Sequence, residues 1–128
     1  MATHHSASPL PAILRDTIVG LIRTDGADLS ARQLGILLIG YLEDGPHTVR
    51  GLAERLAVAK PAVTRALDRL EQFDLARRAP DLRDRRSVLV TRTVAGAAYM
   101  AMVRRLIQAS AREQGMEIRT TPSARVAV

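Results

Sequence analysis

Residues 57–92 read AVAKPAVTRALDRLEQFDLARRAPDLRDRRSVLVTR, from Ala57 to Arg92. Pro61 opens a helix that places Val63, Leu67, Leu70 and Phe73 on one side and Thr64, Arg65, Asp68 and Arg69 on the other. Beyond Asp74 the period changes. Leu75 to Arg78 and Ser87 to Arg92 read as two short strands around a loop, Ala79 to Arg86, with Val88 and Val90 alternating with outward positions as a half-buried hairpin requires. A rigid helix fits the major groove of B-DNA, and a cationic loop beside it can reach backbone phosphates or a narrow minor groove. The stretch therefore reads as the recognition element of a protein that binds double-stranded DNA by sequence.

Upstream, Ser8-Pro9 supplies a cap and a first-turn proline, and Leu10, Ile13, Leu14, Ile18, Leu21 and Ile22 recur at helical spacing, which predicts a helix over about 9–23. Thr24 to Asp28 has turn chemistry. Ser30-Ala31-Arg32-Gln33 fits a capping box ahead of an apolar stripe of Leu34, Leu37, Leu38, Tyr41 and Leu42. Asp44-Gly45-Pro46 ends that helix. Thr48 caps a third, with Val49, Leu52, Ala53 and Leu56 inward, and a brief turn at Ala57 to Ala59 leads into the fourth. The order is that of a helix-turn-helix followed by a wing.

From Val94 to Ile107 nearly every position is apolar, with Arg104 and Arg105 the main interruption. A helix apolar almost all round must be covered on several sides, which a chain of 128 residues can do only sparingly. The expectation is a second copy of the chain, packed through Leu10, Ile13 and Leu14 of the first helix and Tyr99, Met102, Val103 and Leu106 of the last. A central core helix of a monomer is the alternative.

The expected organisation is one domain over 1–128, mainly α with a small β-hairpin wing: a winged helix-turn-helix whose terminal helices form a dimerisation region. Residues 1–28 and 93–113 are the dimerisation helices, 29–92 the DNA-binding lobe, and 114–128 a weakly ordered tail. Charge agrees with that division. The formal net charge is +6, and residues 47–92 hold eleven Lys or Arg against six Asp or Glu. A positive field concentrated in this way suits a polyanion. There is no cysteine, which excludes thiol redox sensing, thiolate zinc sites and disulfides. Neither a secretory signal nor an apolar run of the about 20 residues that span a bilayer is visible, so the expected location is the cytoplasm, with no membrane partner.

Lys60, Pro61, Ala62, Thr64, Arg65 and Arg69 form the recognition-helix set. Lys60 and Pro61 start the element, where a cation and free backbone amides suit a phosphate. Arg65 can pair bidentately with a guanine edge, and Thr64 can meet a thymine methyl. Arg69 can do either task, or pair with Asp68 or Glu71 and serve only solubility. In the wing, Arg83, Asp84, Arg85 and Arg86 are the candidates, with Asp84 bracing an arginine, Arg86 above all. His4, His5 and His47 form no nucleophile–base pair or metal cluster in this reading, so no enzyme, cofactor or metal is expected.

These residues resemble the MarR family of bacterial transcriptional regulators. The similar stretches are Gly51-Leu52-Ala53-Glu54-Arg55-Leu56, then Pro61-Ala62-Val63-Thr64-Arg65 with Leu67-Asp68-Arg69-Leu70-Glu71. The wing from Asp81 to Val88 is similar to the family's Asp-x-x-Asp-x-Arg-Ser-Val signature, and Thr93-Val94-Ala95-Gly96 to its Thr-x-x-Gly. The resemblance implies a homodimeric repressor on a pseudo-palindromic operator, with Arg86 in the minor groove, released by a small-molecule effector; an interface filled without any effector stands as the alternative. Three departures stand out. Asp74 occupies a position where the family commonly has glycine, Ala59 replaces a capping Ser or Thr, and Arg92 a typically apolar residue. The rival function is a winged helix used for protein contacts or nonspecific nucleoid binding.

Overall fold

The computed structural model describes residues 8–117. Along them run α1 (Pro9–Arg23), α2 (Ala31–Leu42), β1 (His47–Thr48), α3 (Val49–Leu56), α4 (Lys60–Gln72), β2 (Ala76–Pro80), β3 (Val88–Arg92) and α5 (Val94–Glu113). The described chain divides into two compact units, one of residues 29–100 and one of residues 8–28 with 101–117; α5 begins in the first and ends in the second. From residue 118 onward the expected tail, like His4 and His5, lies outside the described residues.

In the unit of 29–100, local signals start each helix. Ser30 and Gln33 complete the capping box of α2, and Thr48 Oγ1 accepts the Gly51 N–H at 2.9 Å to cap α3. Ala59 gives α4 no side-chain cap. Both α3 and α4 end in paired backbone bonds around a left-handed residue. Val58 N–H reaches Ala53 O at 3.0 Å around Ala57, and Leu75 N–H reaches Leu70 O at 2.9 Å around Asp74. Asp74, at φ 56°, thus adopts the conformation expected where the family carries glycine.

The core of this unit is the inner face of α4, with Val63, Leu67 and Leu70 fully buried, against Ile36 and Leu37 of α2. Each such side chain contributes about 1.5–3 kcal/mol on burial. Some assignments differ from expectation. Ile36, not Leu42, completes the inner face of α2, and Leu42 is 61% exposed. Phe73 is half-buried, with the Arg69 guanidinium 4.7 Å from its ring centre.

The wing is a three-stranded antiparallel sheet in the order β1-β3-β2, with Ala76 opposite Arg92, Pro80 opposite Val88, and His47 opposite Val90. The strand β1 was not expected, because two residues carry no periodicity. Val88 is 39% exposed, so the hairpin's inward face does not include it. Arg92 is accounted for: its Nε donates to Gly40 O at 2.8 Å and its Nη2 to Glu43 O at 3.3 Å, satisfying carbonyls at the end of α2. Its guanidinium also stands 5.6 Å from the centre of the Tyr41 ring.

In the other unit, Asp16 on α1 accepts a hydrogen bond from the buried Ser110 hydroxyl on α5 at 2.6 Å. Gly20 allows close approach, since a Cβ there would lie 2.6 Å from Leu106 Cδ2. One face of α1 has no cover: Leu10, Leu14, Ile18 and Ile22, each four residues apart, are 62%, 64%, 38% and 65% exposed. On α5 the chain's own residues bury Met100, Val103, Ser110 and Ala111, and Val94 and Ile107 are its exposed large apolar residues. The exposed apolar surface thus lies more on α1 than on α5, and Val103, expected to face a second copy, belongs to the chain's own core.

Candidate nucleic-acid interface

The outer face of α4 presents Lys60, Pro61, Thr64, Arg65, Asp68 and Arg69, all exposed. Ala62 is buried, facing the core beside Val63, so it cannot offer its side chain outward as expected. Arg69 turns back along the helix, donating to Gln72 Oε1 at 3.2 Å and covering Phe73. It pairs with neither Asp68 nor Glu71.

The wing loop is built by its aspartates. Asp81 Oδ1 accepts the Arg83 N–H at 2.9 Å, and Asp84 Oδ1 accepts the Arg86 N–H at 3.0 Å. Asp81 N–H donates to Ser87 O at 3.2 Å and Ser87 N–H to Asp84 O at 2.9 Å, closing the loop. Asp84 therefore braces Arg86, as expected, and does so through the Arg86 backbone N–H. The exposed guanidiniums of Arg83, Arg85 and Arg86 take no part in the ion pairs among the described residues. The loop is held from within while its cations stay available.

Between helix and wing lies a cleft of about 620 Å³ lined by Thr48, Val49, Arg50, Lys60, Thr64, Arg78, Asp84, Arg86, Ser87 and Val88. It brings together Lys60 and Thr64 from α4 with Asp84 and Arg86 from the wing. Arg65, Arg69, Arg83 and Arg85 do not line it. Two cations in the cleft escaped the sequence reading. Arg50 stands in the first turn of α3, just after the Thr48 cap, and that placement was a usable signal. Arg78 lies on β2, where nothing local marks it.

The Arg78 guanidinium joins two carboxylates of α4, Asp68 Oδ1 at 2.5 Å and Glu71. Burial acts to lower its pKa, but the hydrogen bonds and charges of Asp68 and Glu71 outweigh burial and raise it. Glu43, at the end of α2, and Arg55 of α3 form a two-pronged pair with both bonds at 2.7 Å. That hydrogen bonding, helped by smaller contributions from the Arg55 and His47 charges, outweighs the opposing effect of burial and holds the Glu43 carboxyl below its ordinary range. Among the described residues, no group of three or more His, Cys, Asp or Glu is placed to hold a metal ion, and no helix is long and apolar enough to cross a membrane.

A surface of this kind can hold phosphates with Arg50, Lys60 and Arg86 and present Thr64 and Arg65 to base edges. Residues 29–88, from the approach to α2 through the wing loop, match the family model described as MarR family. Comparison with curated protein sequences finds no match. Among solved structures, the chain is similar to wild-type MarR from E. coli in its apo form, with 29% identity, 83% of this chain and 76% of that chain covered, and a TM-score of 0.64. It is similar to the YusO protein from Bacillus subtilis at 26% identity, with 81% and 71% covered and a TM-score of 0.66. A MepR mutant of S. aureus bound to an oligodeoxyribonucleotide shares the fold at 18% identity, with 86% and 78% covered and a TM-score of 0.67. The match across its helix-turn-helix and wing, together with its fold, makes the chain similar to the MarR family of winged helix-turn-helix transcriptional regulators.

Proposed function

We propose that the chain acts as a homodimeric repressor on a pseudo-palindromic operator, with α4 in the major groove and the wing loop in the adjacent minor groove. The match of residues 29–88 to the MarR family model and the likeness of the fold to MarR support this reading. The observation that carries the reading is the cleft between α4 and the wing. Among the described residues, Arg50, Lys60 and Arg86 line it without ion-pair partners, while the carboxylates around them are engaged by backbone amides or by Arg78. In this reading Lys60 and Arg50 position the phosphate backbone. Thr64 and Arg65 read bases, and Arg86, with Arg83 and Arg85 at the loop, enters the minor groove.

The dimer is supported by the α1 ridge of Leu10, Leu14, Ile18 and Ile22. A contiguous exposed apolar row on a soluble chain marks a contact surface. A symmetric pair fits a two-fold related site. The family resemblance extends the proposal to release by a small molecule. Thermal shift against phenolic and carboxylate compounds tests that part, and stabilisation by none of them removes it.

Selection of duplexes from a random pool tests the central reading. The expected result is a two-fold related motif with half-sites about one helical turn apart. Recovery of DNA without an enriched motif supports nonspecific nucleoid binding instead, and recovery of none supports a winged helix devoted to protein contacts.

A further inference from the structure

The four cations that line the cleft divide into two kinds. Arg50, Lys60 and Arg86 have no ion-pair partner among the described residues, whereas Arg78 is committed to Asp68 and Glu71 at once. Arg78 stands on β2, the strand that leads into the wing, and it reaches back seven and ten residues to the recognition helix. Asp68 and Glu71 are three apart on α4 and so share a face. The Arg78 side chain is 26% exposed, less than the 54% of Asp68 and the 34% of Glu71, so the guanidinium is set beneath the carboxylates it joins. Its Nε goes to one and its Nη2 to the other, so its planar fork fixes both in orientation, which a lysine's single point charge cannot do.

We propose that Arg78 is a positioning residue for sequence reading. It locks the base of the wing to α4, and it keeps two carboxylates of the recognition helix from facing the nucleic acid. It acts through Asp68 and Glu71 and does not itself touch DNA. This rests on the reading above, in which α4 and the wing engage one duplex together.

The carboxylates give a test of sign. An Asp68→Asn/Glu71→Gln variant is more cationic by two charges, so simple electrostatics predicts tighter binding to any DNA. Positioning predicts something else. Affinity for a duplex carrying the selected motif falls relative to a scrambled duplex of the same composition, by about tenfold or more, the cost of one misplaced base contact. Arg78→Lys, which keeps the charge and loses the fork, reduces the same ratio. The ratio does not depend on the fraction of protein that is folded, so loss of stability alone leaves it unmoved. Wild-type protein that discriminates between the duplexes, with both variants keeping its ratio, overturns the role of Arg78 alone. Wild-type protein that fails to discriminate overturns the functional reading, and this inference falls with it.

Discussion

Tyr41 and Thr93, 52 residues apart, are hydrogen-bonded through a single hydroxyl: Thr93 N–H donates to Tyr41 Oη at 2.9 Å. The Tyr41 proton goes to Leu75 O at 2.9 Å, with Thr93 O at 3.2 Å as its second acceptor. One buried side chain thus satisfies backbone groups at the start of β2 and at the approach to α5. Gly96 completes the arrangement, since a Cβ there would collide with the Tyr41 hydroxyl and the Leu75 carbonyl.

Removing that hydroxyl strands buried polar groups. Tyr41→Phe is expected to destabilise the fold by about 1–3 kcal/mol, and Gly96→Ala to do so through overpacking by a similar amount or more. Denaturant unfolding measures both. A Tyr41→Phe midpoint equal to that of the wild type contradicts the assigned role.

Arg65 is expected to specify a base, because it is exposed on α4 and makes no ion pair among the described residues. Arg65→Ala should cost about 1–3 kcal/mol on the selected site and relax preference at one base pair. Equal loss on selected and random duplexes removes it from the reading set and leaves it a backbone contact.

The Asp16 carboxyl is held below its ordinary range first by the Ser110 hydroxyl, then by Arg15, against a smaller opposing effect of burial. A carboxyl whose folded pKa is depressed stabilises the fold above its unfolded value and loses that contribution as pH falls through the folded value. Ser110→Ala should therefore lower the Tm at neutral pH. The gap from wild type should close in acid below the ordinary aspartate range, near pH ~3 and under. A gap of equal size at both pH values contradicts the linkage.

Leu14 is 64% exposed in the middle of the α1 ridge, so a charge there leaves the chain's own core intact. Leu14→Glu is expected to convert a dimer to a folded monomer in sedimentation equilibrium. A variant that stays dimeric excludes α1 as the contact.

Much of the lobe was legible because its signals are local. The capping box at Ser30 and Gln33, the Thr48 cap and the inward spacing of Val63, Leu67 and Leu70 each need fewer than ten residues of context. The left-handed turn at Asp74 was legible only through the family resemblance, from the glycine commonly found at that position. Features that depend on return across the fold were not. Arg78 finds Asp68 and Glu71 only when β2 folds back along α4, and Arg92 finds the carbonyls of Gly40 and Glu43 only when β3 lies under the end of α2. The strand β1 exists through pairing with β3 and has too few residues to declare itself. Asp84 was legible as a brace for Arg86, and the turn supplies the bond through the Arg86 backbone amide. On α5, apolar composition pointed to a partner at Val103, whereas the chain itself buries that residue.

In the proposed function α4 and the wing read DNA sequence together. Its most direct test is the ratio of wild-type affinities for the selected duplex and for a scrambled duplex of the same composition, at physiological salt. Binding to the selected duplex is expected to be tighter by about a thousandfold or more. Equal affinities for the two, or no binding to either, contradict it.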